Sequence, residues 1–191
     1  MNLYRPAAPT LIAPERQFIA ANRFAFSSSL ALSDQERANP WLLLDKRFDD
    51  GAVPAIADAT SLQYVLHAGV GDDMSIDVGG APLVIRFVGA LRDSVLQSEI
   101  FIGEAAFQRV FPAQQGFRYF LIDAPSVRTV EQANVLAEAA ERQLAPFGFD
   151  AVSTAERLEA FHRVENTYLS TFQALGGLGL LLGTIGLATV M

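Results

Sequence analysis

The sequence predicts an α+β fold: a mixed domain of small strands and short helices, followed by one long helix. Three observations carry this. Short alternating apolar runs are punctuated by glycine and proline, as strands between turns are. Between them lie short stretches with helix-capping spacing at Thr129 to Gln132 and Ser153 to Glu156. From Ser153 onward proline is absent, and apolar residues recur every three or four positions.

Met1 to Pro14 holds one arginine and three prolines with no continuous apolar stretch, so it is no signal peptide. Residues up to about position 20 read as an irregular approach. Phe24 to Leu32 is an apolar, serine-rich run with the content of a strand. Asn39-Pro40 breaks the chain ahead of Trp41-Leu42-Leu43-Leu44. Asp49-Asp50-Gly51 is a turn, and Val53 to Ala57 a short strand whose Pro54 predicts an edge position. Asp58 or Thr60 caps a short helix from Ser61 to His67, which Gly69 and Gly71 terminate.

The clearest hairpin follows. Met74, Ile76 and Val78 alternate with polar residues, Gly79-Gly80 supplies the turn, and Leu83, Ile85 and Phe87 alternate in return. Ile100 to Ile102 reads as a strand, and Glu104 to Phe111 as a helix stopped by Pro112. Tyr119 to Ile122 reads as a strand. The Thr129 helix presents Ala133, Leu136, Ala137, Ala140 and Leu144 on one face and ends at Pro146. Phe149 to Val152 reads as the last strand.

The final segment is the most informative. Leu158, Phe161, Val164, Tyr168, Phe172 and Leu175 form a narrow helical seam, and Glu165 is the last charged residue. A helix from Ala155 to Met191 would be roughly 55 Å long at about 1.5 Å per residue. A bilayer core takes roughly 30 Å. The expected division is therefore a domain over residues 1–152, a stalk helix over 153–168 and a transmembrane helix over 169–191. Gly176, Gly179, Gly183 and Gly186 fall on one face of that helix. Small residues let helix backbones approach closely in lipid, so this stripe predicts packing against another transmembrane helix. Glycine is also simply common in such helices.

Composition narrows the function. The net charge of −7 argues against nucleic acid and against docking on an anionic lipid surface, because the basic residues are scattered along the sequence. With no cysteine, disulfides, thiol catalysis and cysteine-ligated metals are excluded. His67 and His162 belong to no metal-ligand spacing. Asp49-Asp50 and Asp72-Asp73 are neighbours beside glycines, which reads as turn chemistry rather than a general acid/base pair facing across a cleft. Ser61, Ser94 and Ser98 lie in no nucleophile motif. Gly177, Gly179 and Gly183 miss the dinucleotide spacing by one residue. Phe107, Phe111, Phe117, Tyr119 and Phe120 read as core packing or as an apolar surface for a partner. Glu156, Glu159 and Glu165 lack the Lys/Arg excess of a cytoplasmic flank, which places the domain on the extracytoplasmic side.

One resemblance organises these readings. Glu165-Asn166-Thr167-Tyr168 and Leu175-Gly176-Gly177-Leu178-Gly179 resemble the helix that follows the large extracytoplasmic loop in FtsX/MacB-like ABC transporter permeases. Asn39 to Leu44, Gly51 to Asp58, Val70-Gly71-Asp72, Val88 to Ser94, Ser98 to Glu104, Phe111-Pro112 and Tyr119 to Asp123 resemble phrases of the same extracytoplasmic domain, in order. The resemblance runs from Asn22 to Met191. It implies a non-enzymatic permease subunit in the cell membrane, partnered by an ABC ATPase, a second permease subunit and membrane lipid, without cofactor or nucleic acid. It also implies further spans before and after this segment. A membrane-anchored extracytoplasmic binding or sensing module is the alternative, and a membrane-bound hydrolase a third.

Overall fold

The computed structural model describes residues 10–97, 99–114, 116–159, 170–180 and 182. The chain divides into two units, Met1–Leu121 and Ile122–Met191.

The first unit is α+β, built on a six-stranded mixed sheet. Its strands are β1 (Thr10–Ile12), β2 (Phe26–Ser29), β3 (Val53–Asp58), β4 (Asp73–Val78), β5 (Ala81–Leu91) and β6 (Glu99–Ile102). The order is β1-β6-β3-β5-β2, with β4 also paired to β5. β3 runs parallel to β5 and antiparallel to β6. β5 spans eleven residues and carries two neighbours on its far side: β4 beside its first half and β2 beside its second. Phe87 N–H bonded to the Asp72 carbonyl, and Leu30 N–H bonded to the Val88 carbonyl, bridge the gap between those two ladders.

The hairpin forms in the expected register. Val78 faces Ala81 across Gly79-Gly80, whose φ angles of 61° and 88° are the left-handed pair that a two-residue hairpin turn needs. β5 then continues past Phe87 through a bulge. Ala55 pairs with Phe87 but Ile56 pairs with Gly89, so Val88 is the extra residue. The bulge flips the alternation: Ile85 and Phe87 lie in one core, whereas Val88 and Leu91 lie in the other.

Pro54 is not at an edge. β3 lies inside the sheet, buried along its whole length. The β6 ladder opens only at Ala55, so Pro54 sits in an overhang with one paired side, where a missing N–H is tolerated. Full burial of β3 and β6 follows from two cores, one on each face of the sheet. Ala55, Ala57, Ile100 and Ile102 join Leu62, Leu66 and Ala106 on one face. Ile56 and Phe101 join Trp41, Leu43 and Leu44 on the other. The period of two assigns each strand residue its side.

Trp41 centres the second core. It is fully buried in a 3-10 turn, Pro40–Asp45, capped by Asn39, whose side chain accepts from Trp41 N–H. Phe18, Phe26 and Phe101 meet its ring edge-on at 4.9, 5.5 and 5.3 Å between centroids. Gly103 is held against this turn, since a β-carbon there would stand 2.5 Å from the Leu44 carbonyl oxygen. The approach segment is more ordered than its composition implies, containing β1 and helix α1 (Arg16–Ala21). Helix α2 (Asp34–Ala38) has a complete capping box between Ser33 and Glu36. Ser61–Leu66 is a π-helical turn rather than an α-helix, ended by His67 in the left-handed region at φ 51° and not by a glycine. Helix α3 (Glu104–Val110) forms where expected and ends one residue earlier, with Phe111 as its cap.

Tyr119 to Ile122 forms no strand. These residues are irregular and exposed, because strand-forming side chains make no strand without a paired edge. In the second unit, helix α4 (Val130–Leu144) opens on the Thr129–Gln132 capping box and passes into a short turn at Ala145–Phe147. Phe149 to Val152 is likewise not a strand: the Ala151 N–H donates to the Glu141 carboxylate at 3.0 Å instead of to a neighbouring strand. Ser153 caps the next helical segment by accepting from Glu156 N–H. Residues 154–159 and 170–180 are helical. No helix among the described residues is long and apolar enough to cross a membrane. A continuous stalk through 160–169, and the end of the expected span, lie outside the described residues.

Candidate functional site

Of the four glycines expected to pack against a second helix, Gly176 and Gly179 lie on the helical stretch 170–180; Gly183 and Gly186 lie outside the described residues. Three residues apart, Gly176 and Gly179 share a face. A β-carbon built on either would meet nothing within 4 Å among the described residues. Phe172, Leu175, Leu178 and Leu180 on the same stretch are 59–73% exposed. In water such a surface is costly at about 25 cal/mol per Å2 of apolar area. The segment thus presents large apolar side chains and two open glycines among the described residues.

The acidic turns take the structural roles expected of them, with one addition. Asp72 caps its own turn by accepting from Gly69 N–H, and Gly51 adopts the positive φ that the Asp49-Asp50 turn requires. Asp50 and Asp73, far apart in sequence, converge on Arg86. The guanidinium bonds both Asp73 oxygens at 2.7 Å and Asp50 Oδ2 at 2.7 Å, and stacks 4.6 Å from the Phe48 ring centroid. Asp50 is held below the ordinary aspartate pKa by Ala52 N–H and by Arg86, and Asp73 by Arg86. Arg86 is correspondingly raised. Depressed carboxyl pKa values stabilise the fold above the unfolded aspartate value of about 3.9, and that contribution is lost as pH falls through the folded values. The Arg86→Met variant should therefore trail the parent in urea midpoint most at pH 7, and the gap should shrink by pH 3. A gap that does not change with pH would mean the ion pairs contribute nothing.

Asp58 is a polar residue whose importance the sequence only partly signalled. It is 1% exposed, and its carboxylate accepts from Thr60, Ser61 and Ser94 N–H groups. Its role is to join the end of β3 to two loops. The aromatic cluster divides: Phe107 packs on the first core and pairs with Phe111 at 4.9 Å, whereas Phe117 and Phe120 are more than half exposed. His67 closes the π-turn as described, and His162 lies outside the described residues.

The fold also gathers basic residues that the sequence scatters. A cleft of about 690 Å3 lies between the start of α1, the exit of the 3-10 turn and α3. Arg16, Lys46, Arg47 and Arg109 line it together with a single acid, Asp45. Buried Leu44 and Ala106 contribute an apolar floor. Lys46 lies 3.8 Å from Glu36, while Arg16, Arg47 and Arg109 have no ion pair among the described residues. Linear charge spacing carries no hint of this, since Arg16 and Arg109 come to one cleft only because β1 and β6, the strands before their helices, pair side by side. Comparison with family models, curated proteins and solved structures finds no match to this chain.

Proposed function

We propose that the chain is part of an FtsX/MacB-like permease subunit, an extracytoplasmic domain coupled through a stalk to a membrane span. In this reading residues 1–152 stand outside the membrane, 153–168 form the stalk and 169–191 the span. The subunit works with an ABC ATPase, whose hydrolysis drives movement that reaches the extracytoplasmic side for export or mechanotransmission. The observation that carries the reading is the C-terminal segment. It follows an α+β body, is uncharged after Glu165, and is helical over 170–180 with its large apolar side chains outward. An apolar helix surface of that kind is stable in lipid, and an open glycine face on it fits a second helix.

The test is purification of the tagged subunit from its own membrane in mild detergent. Stoichiometric recovery of a polypeptide with a phosphate-binding loop and ATPase activity is the expected result. Recovery of the chain alone, its reading frame continuing into a soluble signalling domain, would favour an anchored sensing module instead. Gly179→Leu with Gly183→Leu should reduce recovery of partner subunits about tenfold, equivalent to roughly 1.4 kcal/mol of helix packing. The circular dichroism of the remaining domain should be unchanged. Full recovery and full transport in that double variant would remove the packing role.

A further inference from the structure

The cleft bounded by Arg16, Lys46, Arg47 and Arg109 has no part in the membrane reading, and it stands on the first unit alone. We infer that it is a binding site for a small ligand bearing a multiply charged phosphoryl group, a phosphate or diphosphate ester.

Charge selects an anion. The chain as a whole carries −7, yet this cleft holds four cationic side chains against one acid. Such local excess in an acidic molecule concentrates small anions, while the surrounding negative field disfavours a long polyanion such as nucleic acid. The chemistry of the lining selects a phosphoryl group. Three of the cations are guanidiniums without an ion-pair partner among the described residues, and the guanidinium fork matches phosphate oxygens two at a time. Three such groups around one space exceed what a single carboxylate can satisfy, and the Lys46 ammonium, 3.8 Å from Glu36, adds to the field.

Size selects a small molecule. At about 690 Å3 the cleft falls within the roughly 300–1,000 Å3 of ligand pockets. Its floor at Leu44 and Ala106 is apolar, so an organic body attached to the phosphoryl group has a surface to lie on. The floor is also rigid, because Gly103 locks α3 against the Leu44 carbonyl with no room for a β-carbon.

The same chemistry is offered by a soluble phosphate ester and by a phospholipid headgroup, and the experiment separates them. The full chain is reconstituted in zwitterionic phosphatidylcholine nanodiscs of no net charge and titrated calorimetrically with inorganic pyrophosphate at low salt. Saturable one-to-one binding is expected, weakened about tenfold or more in Arg47→Gln/Arg109→Gln, since each substitution removes a charge-assisted bond to the phosphoryl oxygens. Both arginines are exposed, so the double variant should keep its fold, which circular dichroism checks. In discs containing phosphatidic acid, whose phosphomonoester is multiply charged, unchanged pyrophosphate affinity supports a soluble ligand, and competitive loss of it supports a headgroup. Absence of saturable binding, binding indifferent to the double substitution, or tighter binding of a tetraglutamate peptide than of pyrophosphate overturns the assignment.

Discussion

Replacing Trp41 with alanine should cost the first unit about 3–5 kcal/mol, the largest effect expected from any single substitution here. The indole is fully buried and is the only tryptophan in the chain. Its ring is contacted edge-on by Phe18, Phe26 and Phe101, with Phe24 at 6.2 Å. Each such aromatic pair contributes about 0.5–1.5 kcal/mol beyond area burial. Those rings come from α1, from β2 and its approach, and from β6, so the indole ties the N-terminal segment to one face of the sheet. Alanine leaves a cavity that none of them can fill without leaving its own element. The indole nitrogen has no hydrogen-bond partner among the described residues, so its N–H is no reason to prefer tryptophan. Trp41→Phe, which keeps an aromatic ring and drops that N–H, should therefore lose less than half as much as Trp41→Ala. Urea denaturation of the full chain in detergent, followed by far-ultraviolet circular dichroism, measures both. An alanine variant within 0.5 kcal/mol of the parent would show that the aromatic cluster is not the keystone of this core.

The elements that could be read from the sequence are those whose signal is local. The β4–β5 hairpin is specified by alternation on both arms and by two glycines between them, and its register is as expected. The capping box at Thr129 closes within four residues, and Ser153 accepts from Glu156 N–H over the same spacing. The Ser33–Glu36 box was equally legible, and α2 could have been found from it. What was lost depends on distant partners. Alternation stops being readable at Val88 because a bulge against β3 shifts the face of every later residue in β5. Pro54 pointed to an edge because a single sequence does not tell where the neighbouring ladder begins. Tyr119 to Ile122 has the composition of a strand, and its failure to form one is a matter of available edges, not of its own residues. The basic cleft was invisible for the same reason. Arg16 and Arg109 are ninety-three positions apart, and the parallel β1–β6 pairing that brings together the ends of the strands before their helices is a tertiary fact.

Asp58→Ala should destabilise the first unit by about 2–4 kcal/mol, and the reason is the number of buried donors it serves. Its Oδ1 accepts from Thr60 N–H at 3.0 Å and Ser61 N–H at 3.2 Å; its Oδ2 accepts from Ser94 N–H at 3.4 Å. Ser61 and Ser94 are both buried, so water cannot replace the carboxylate when it is removed. A donor buried without an acceptor costs about 1–3 kcal/mol, more than the bond itself contributes. The carboxylate also fixes geometry. Ser94 Oγ accepts from the N–H of Leu96, a fully buried member of the Trp41 core, so releasing Ser94 loosens a loop that seals that core. Asp58→Asn separates the two functions, since it retains one carbonyl oxygen for the Thr60 and Ser61 donors and turns an amide toward Ser94. The asparagine variant should lose less stability than alanine, with faster hydrogen exchange at Ser94 and little change at Ser61. Equal exchange at both amides in Asp58→Asn, or an alanine variant as stable as the parent, would mean that Asp58 is a passenger in the turn and that the loop after β5 is held by its apolar contacts alone.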